Sequence, residues 1–279
     1  MQSLALASPF TTDEIKTTLF NLFGDKAPDF DGLNAHFYQK NWHTIGQDLC
    51  IAILDVLNNH SDISPVNETI LVLIPKKKNA TTLCNFIPIS LCSTLYKIIS
   101  KEKEANRVGL LLNLTWKRLL IKVKWSFVKA ILTHVGFPPT FISLVIRCLS
   151  SVVYHISING TLFESITPTR GIRQGDPLSP FIFLLVVEGL SASICVKEHG
   201  NHFVGLRICR NAPMISHLLF ADDNILFTPV TKSSSIAIKE ILSSYQKATG
   251  QIVNLAKSTI MFYPNTTNVS KDFSGTPLV

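Results

Sequence analysis

Apolar positions along this chain follow two periods. In FTTDEIKTTLFNLF (10–23) they recur at helical spacing behind a threonine cap and acids in the first turn, which predicts a helix. KAPDFDGLNAHFYQKNW (26–42) is a Pro/Gly turn leading into a second helix. ETILVLIP (68–75) is rich in β-branched residues, stops at proline and reads as a buried strand; KKKNATT after it is a basic loop. FIPISLCSTLYKIISKEKEANRV (86–108) starts extended and turns helical. KWSFVKAILTHVGFPPTFISLVIRCLSS (124–151) reads as two helices broken at Gly136-Phe137-Pro138-Pro139. SVVYHISI, Asn159-Gly160 and TLFESI form a hairpin signal, because Asn-Gly supplies the positive φ angles of a type I′ turn. In LSPFIFLLVVEGLSASICVKEHG (178–200), Ser179 is placed to cap a helix, Pro180 to open it and Gly200 to end it. HLLFADDNILF (217–227) is a second hairpin with acids at its tip. IAIKEILSSYQKATG (236–250) is an amphipathic helix, with a strand expected over IVNLAKSTIMFY (252–263). Helices and strands mix without strict βαβ alternation, so the fold class is α+β.

Composition narrows the class. A 46% hydrophobic and 16% charged chain of 279 residues is globular and large enough for a substantial core. Its net charge of +7 suggests an anionic partner, nucleic acid before an acidic membrane. The six cysteines show neither C-x-x-C nor zinc-ligand spacing and read as buried reduced thiols of an intracellular protein. MQSLALASPF lacks a basic n-region and a long apolar run, so secretion is not expected. The sequons at Asn67 and Asn159 are then chance matches. Runs such as FIFLLVV (181–187) are too short to cross a bilayer.

Two motifs carry the chemistry. Asp222 and Asp223 sit side by side between apolar strands. A tight turn brings both carboxylates to one edge, where they repel unless a cation neutralises them, and magnesium takes such oxygens together with substrate phosphates. Asp-Asp-Asn is equally the composition of a plain polar turn. RGIRQGDPLSPFIFLLVVEGLS (170–191) is the second motif. Gly171 and Gly175 permit close approach, Arg170 and Arg173 offer phosphate-binding charge, and the loop feeds a helix N-terminus. Its plain alternative is a proline-punctuated turn with incidental arginines.

Together these motifs resemble the reverse transcriptase domain of non-LTR (LINE-type) retrotransposons, especially those of plant genomes. FADD (220–223) matches the aromatic-x-Asp-Asp box and RQGDPLSP (173–180) the nucleotide-positioning box. LVLIPKKKN, NFIPISLCSTLYKIISK, KAPDFDG, GFPPTFIS, HISINGT and SSYQKATGQIVNLAKS also fit, so the similarity runs from about residue 9 to 265. The resemblance implies a right-hand polymerase with fingers and palm that copies RNA into DNA. A primer 3′-hydroxyl would attack the α-phosphate of a deoxynucleoside triphosphate while two Mg2+ ions, with Mn2+ as a substitute, clamp the attacking and leaving oxygens. By motif match, Asp222 and Asp223 are the catalytic metal ligands and Phe220 places the primer end. Arg173, Gln174 and Gly175 belong to the nucleotide-binding box, with Gln174 and Gly175 lining the nascent base pair. Lys76 approaches the triphosphate, and Lys257 assists the leaving pyrophosphate. RNA template, DNA primer and deoxynucleotides are the implied partners, in nucleus or cytoplasm. No membrane is implied, and no protein partner is inferable. The implied division is a helical lead-in to the fingers (1–67), fingers and palm (68–265, shortened near 101–115), and a disordered tail (266–279).

The sequence also departs from the family pattern. In NLTWKRLLIKVKWSF (113–127), Val123, Trp125 and Phe127 keep register, but Thr115 stands where the third carboxylate ligand belongs and Ile121 replaces a second aspartate. Seven basic residues, Arg107 to Arg147, and no Asp or Glu lie between Glu104 and Glu164. Ile87 replaces an arginine that grips the triphosphate, and a fingers stretch and a complete thumb are lacking. The expectation is a degenerate, truncated and impaired polymerase copy. The alternatives are a catalytically dead nucleic-acid-binding fragment and an unfolded remnant.

Overall fold

The computed structural model describes residues 8–82, 85–105, 122–207, 209, 212–220, 223–254 and 258–261. Helix α1 (Thr12–Phe20) begins where the sequence says it should. The Thr11 hydroxyl accepts the Glu14 N–H while the Glu14 carboxylate accepts the Thr11 N–H at 2.9 Å, a reciprocal cap for two otherwise orphaned donors. Helices α2 (Ala35–Lys40), α3 (Trp42–Asn58) and α4 (Thr94–Ala105) pack with it. Ile15, Leu19, Leu49, Ile53, Ile98 and Ile99 contribute to the core there, each such side chain favouring burial by roughly 1.5–3 kcal/mol.

Four strands form the main sheet: β1 (Glu68–Pro75), β2 (Phe86–Cys92), β3 (Val153–Ile158) and β4 (Thr161–Ile166). Their order is β2-β1-β3-β4, antiparallel except where β1 lies parallel to β3. The β3–β4 turn holds Asn159 at φ 52° and Gly160 at φ 83°, the backbone that Asn-Gly announced. β1 is half-buried rather than buried: Thr69 is fully inside, whereas Ile74 is 43% exposed near the end of the strand.

Helices α5 (Trp125–Val135) and α6 (Pro139–Ser150) are separated by Gly136 at φ 87°, with Pro139 opening the second. The long helix α7 (Ser179–His199) packs against α5 and against α8 (Lys232–Thr249), which ends at the left-handed Gly250. Gly189 of α7 permits a close approach to α5: a Cβ there would lie 2.8 Å from the Phe127 ring. By length and composition α7 would pass for a membrane span, which the shorter run 181–187 does not. Its buried residues Ile182, Phe183, Val186, Leu190 and Ile194 recur at the spacing of a core-facing stripe.

The start of α7 corrects one expectation. Ser179 lies inside the helix, and Leu178 occupies the cap. Asp176 organises this terminus instead: its Oδ1 accepts the Leu178 N–H at 2.9 Å and its carbonyl accepts the Ser179 N–H. A second correction concerns 252–263. The described residues 251–254 and 258–261 form no strand; the Ser258 N–H returns to the Asn254 carbonyl, a local curl without a sheet partner.

Asp29 is 8% exposed, and its Oδ1 accepts the Ile70 N–H of β1 at 3.1 Å. Burial raises its carboxyl from 3.8 to about 6, against the pull of the Ile70 and Phe30 amides. Because the folded value lies above the unfolded one, folding takes up a proton between those pH values. This contribution is present below about pH 4 and is lost as pH rises through about 6. Asp29→Asn should therefore be more stable than wild type at pH 7.5, by on the order of 1–3 kcal/mol. Urea unfolding at several pH values checks this; the advantage should vanish near pH 4.

Candidate active site

The loop 170–178 is held from within. Arg173 is 2% exposed, and its guanidinium is engaged on every side. Nε donates to Asp176 Oδ2 at 2.9 Å, Nη1 to Asn67 Oδ1 at 2.6 Å and Thr69 Oγ1 at 3.1 Å, and Nη2 to the Cys148 carbonyl at 3.3 Å. The Tyr96 ring lies under it at 3.9 Å, and the Tyr96 hydroxyl donates to Asp176 Oδ2 at 2.8 Å. Burial pushes that hydroxyl well above the ordinary phenol range, against the pull of Arg173, so it stays protonated and donating. The structure thus corrects the reading of Arg173 as a phosphate ligand. A phosphate would have to displace buried partners from β1, α4 and the end of α6.

Gln174 and Gly175 are the part of the loop turned outward. The Gln174 carbonyl accepts the Ser90 N–H of β2 at 2.9 Å, closing the outer edge of that strand. Gly175 has φ 100°, and a Cβ there would stand 3.0 Å from the Ser90 carbonyl oxygen. Ile87 lies on the same strand, paired with Ile74. Lys76 follows β1 with its side chain exposed and its N–H bonded to the Asn85 carbonyl.

Two further connections hold the base of the loop. The Gly171 N–H donates to the Val123 carbonyl at 2.7 Å, and the Trp125 indole returns a bond to the Gly171 carbonyl at 2.7 Å. The Lys124 N–H donates to the Thr249 carbonyl, joining the end of α8. Val123 and Trp125, two of the three residues expected to keep register, therefore anchor this loop. Thr115, Ile121 and Lys257 lie outside the described residues.

The second box is a hairpin of β7 (His217–Phe220) and β8 (Asp223–Leu226). Phe220 pairs with Asp223, leaving Ala221 and Asp222 as a two-residue connection. The backbones of Phe220 and Asp223 are thereby fixed; their side chains and all of Asp222 lie outside what is described. The hairpin is fastened to α7 through His217, whose ring bonds Ser191 Oγ at 3.0 Å and Ser216 Oγ at 2.9 Å. A short ribbon of β5 (Leu206–Arg207) and β6 (Met214–Ile215) precedes it. Both boxes therefore hang from one helix: one feeds its N-terminus and the other is held at its middle.

Among the described residues no three His, Cys, Asp or Glu side chains come together as a metal site. In the sequence, residues 105–163 contain no Asp or Glu.

Several contributors escaped the sequence reading. Asn67, dismissed as a chance sequon, is fully buried and donates to the Cys148 carbonyl and Ser151 Oγ. Tyr96 lay unremarked within STLYK. Asp176 had one local signal, its place three residues after Arg173; the others have partners about 80 to 106 residues away.

Helix and sheet are mixed, and the Gln-Gly loop and the β7–β8 hairpin both meet α7. Residues 62–272 match the family model of Reverse transcriptase (RNA-dependent DNA polymerase), and the chain belongs to that family. It is similar to the Transposon TX1 uncharacterized 149 kDa protein of Xenopus laevis, 24% identical over 294 residues, covering 91% of this chain and 22% of that protein. An uncharacterized mitochondrial protein of Arabidopsis thaliana is 48% identical over 66 residues, 24% of this chain and 54% of the relative. The Pol polyprotein of the type-1 retrotransposable element R2 of Popillia japonica is 23% identical over 220 residues, 78% of this chain and 29% of its own length. The chain thus spans between about a fifth and about half of these relatives.

Gly175→Ala is expected to lower stability by about 1–3 kcal/mol, since φ 100° disfavours an L side chain and the new methyl meets the Ser90 carbonyl. Urea unfolding measures the loss, and a stability equal to wild type would mean the loop is not held against β2.

Proposed function

We propose that this chain is the nucleotidyl-transfer domain of an RNA-directed DNA polymerase whose metal site lacks one carboxylate. One observation carries the reading: the two family boxes are borne by the same helix, α7. In this reading the main sheet with α1–α4 serves as fingers, and the hairpin with α5, α7 and α8 as palm. Asp222 and Asp223 take Mg2+, or Mn2+ in its place. Phe220 meets the primer end, Gln174 and Gly175 line the nascent base pair, and Lys76 and Lys257 approach the triphosphate. When bound, the ions would supply charge stabilisation at the attacking and leaving oxygens. With Thr115 at the third ligand position and Ile87 in place of the arginine, activity is low.

A second reading, nucleic-acid binding without catalysis, is favoured by the acid-free stretch 105–163 with its cations. Such binding is sequence-independent and weakens steeply with salt.

Primer extension on an RNA template, with a DNA primer and Mg2+ or Mn2+, separates the readings. Wild type should extend weakly and Asp222→Asn not at all. Thr115→Asp combined with Ile87→Arg should raise extension by about tenfold or more, because it restores a ligand and a phosphate-binding charge. A folded double variant that binds primer–template but gains no extension favours binding without catalysis. A folded chain that does neither overturns both readings.

A further inference from the structure

We propose that the buried cluster of Arg173, Asp176, Tyr96 and Asn67 is a positioning device that holds the Gln174–Gly175 peptide against β2 and thereby sets the affinity for the incoming deoxynucleoside triphosphate without touching it. The proposal rests on the nucleotidyl-transfer reading and adds to it a set of residues outside the reach of substrate.

The geometry makes the argument. Gln174 and Gly175 lie between Arg173 and Asp176, which are joined to each other by a 2.9 Å ion pair. Half-exposed Gln174 and exposed Gly175 are therefore the crown of a closed ring whose base is buried. That base is tied to three separate elements. Arg173 reaches Asn67 and Thr69 around the start of β1, and the Cys148 carbonyl in α6. Tyr96 of α4 reaches Asp176 and lies under the guanidinium. Asp176 in turn accepts the Leu178 N–H, so the same carboxylate fixes the ring and the start of α7. The outward consequence is one bond, from the Ser90 N–H to the Gln174 carbonyl at 2.9 Å. Ser90 N–H faces away from β1 at the sheet edge, so its protection reports the docking of this loop.

Tyr96 is the member that can be altered most gently. Tyr96→Phe keeps the ring beneath Arg173 and removes only the hydroxyl that donates to Asp176. Asp176→Asn keeps the shape but leaves a buried guanidinium without its counter-charge, a change that can cost the fold. The experiment uses the full chain, wild type and Tyr96→Phe. It measures residue-resolved amide exchange, primer–template affinity, and dATP affinity of the protein–primer–template complex on a template that calls for it. In Tyr96→Phe the Ser90 amide should exchange about tenfold faster, as expected for loss of one bond to a charged group. The Ile70 amide, bonded to Asp29 rather than to the loop, should be unchanged. Affinity for dATP should fall by about tenfold while primer–template affinity stays within about twofold.

An unchanged Ser90 amide overturns the proposal. So does a variant in which Ser90 and Ile70 accelerate together and both ligands weaken alike, which marks a general loss of stability. A wild-type complex that binds no dATP overturns the nucleotide reading and the ligand named here; the hold on the loop then stands or falls on the ratio of Ser90 to Ile70 exchange.

Discussion

A buried guanidinium must find hydrogen-bond partners, and the way Arg173 finds four of them organises the molecule. Its desolvation, several kcal/mol for an unpaired ion, is offset only where Asp176, Asn67, Thr69 and the Cys148 carbonyl stand within hydrogen-bond reach of one side chain. Those groups come from the loop before α7, from the start of β1 and from α6. The sheet, the helix pair α5–α6 and the long helix are consequently not free to settle independently. Tyr96 brings α4 into the same arrangement through its hydroxyl and its ring face. Removing one partner from such a network leaves another charge or dipole stranded, so the cluster specifies geometry more than it adds stability.

In the proposed reading, function inherits this rigidity. A loop that presents a backbone to a nucleotide needs a fixed position, since small misplacements near a reacting centre are costly. Gly175 contributes by adopting a backbone that lets the loop touch the Ser90 carbonyl, and Gln174 by bonding the strand edge. At the other box, the β7–β8 register pairs Phe220 with Asp223, while His217 fixes the hairpin on α7. The shared helix is the common reference for both, so a shift of α7 would move both boxes.

What the sequence made legible was local. The Thr11 cap, the Asn159-Gly160 turn, the break at Gly136 and the hairpin around Asp222 each rest on residues a few positions apart, and each is in the fold. What it concealed was long-range. Arg173 in a glycine loop carries the same charge whether it meets a phosphate or a buried carboxylate, and no local pattern distinguishes the two. The partners that decide the matter, Asn67 and Thr69, lie more than a hundred residues earlier. Asp29 was invisible for the same reason, since its acceptor role depends on the Ile70 amide in β1. Ser179 misled because Ser-Pro is a good helix opening, yet the Asp176 carboxylate takes the Leu178 N–H and the Asp176 carbonyl the Ser179 N–H. The expected strand at 252–263 had the right composition but no ladder to join over its described residues.

The two boxes stand under different constraints, and this bears on how such a chain would decay. The Gln-Gly loop is supported by a buried network whose loss would damage the core, so selection for folding alone would preserve it. The Asp-Asp turn is supported by hairpin chemistry, to which polar residues at the tip are congenial with or without a metal. A third carboxylate has no such protection: in a folded apoprotein, an acid facing two other acids is repelled by them and contributes only when a cation is bound. Of the parts of a two-ion site it is the one that folding does least to retain. In the reading proposed above, Thr115 stands at the position of that carboxylate while the RQGD and FADD boxes are both present. On that reading, the pattern is the one expected when the demand for a stable fold outlasts the demand for a filled metal site.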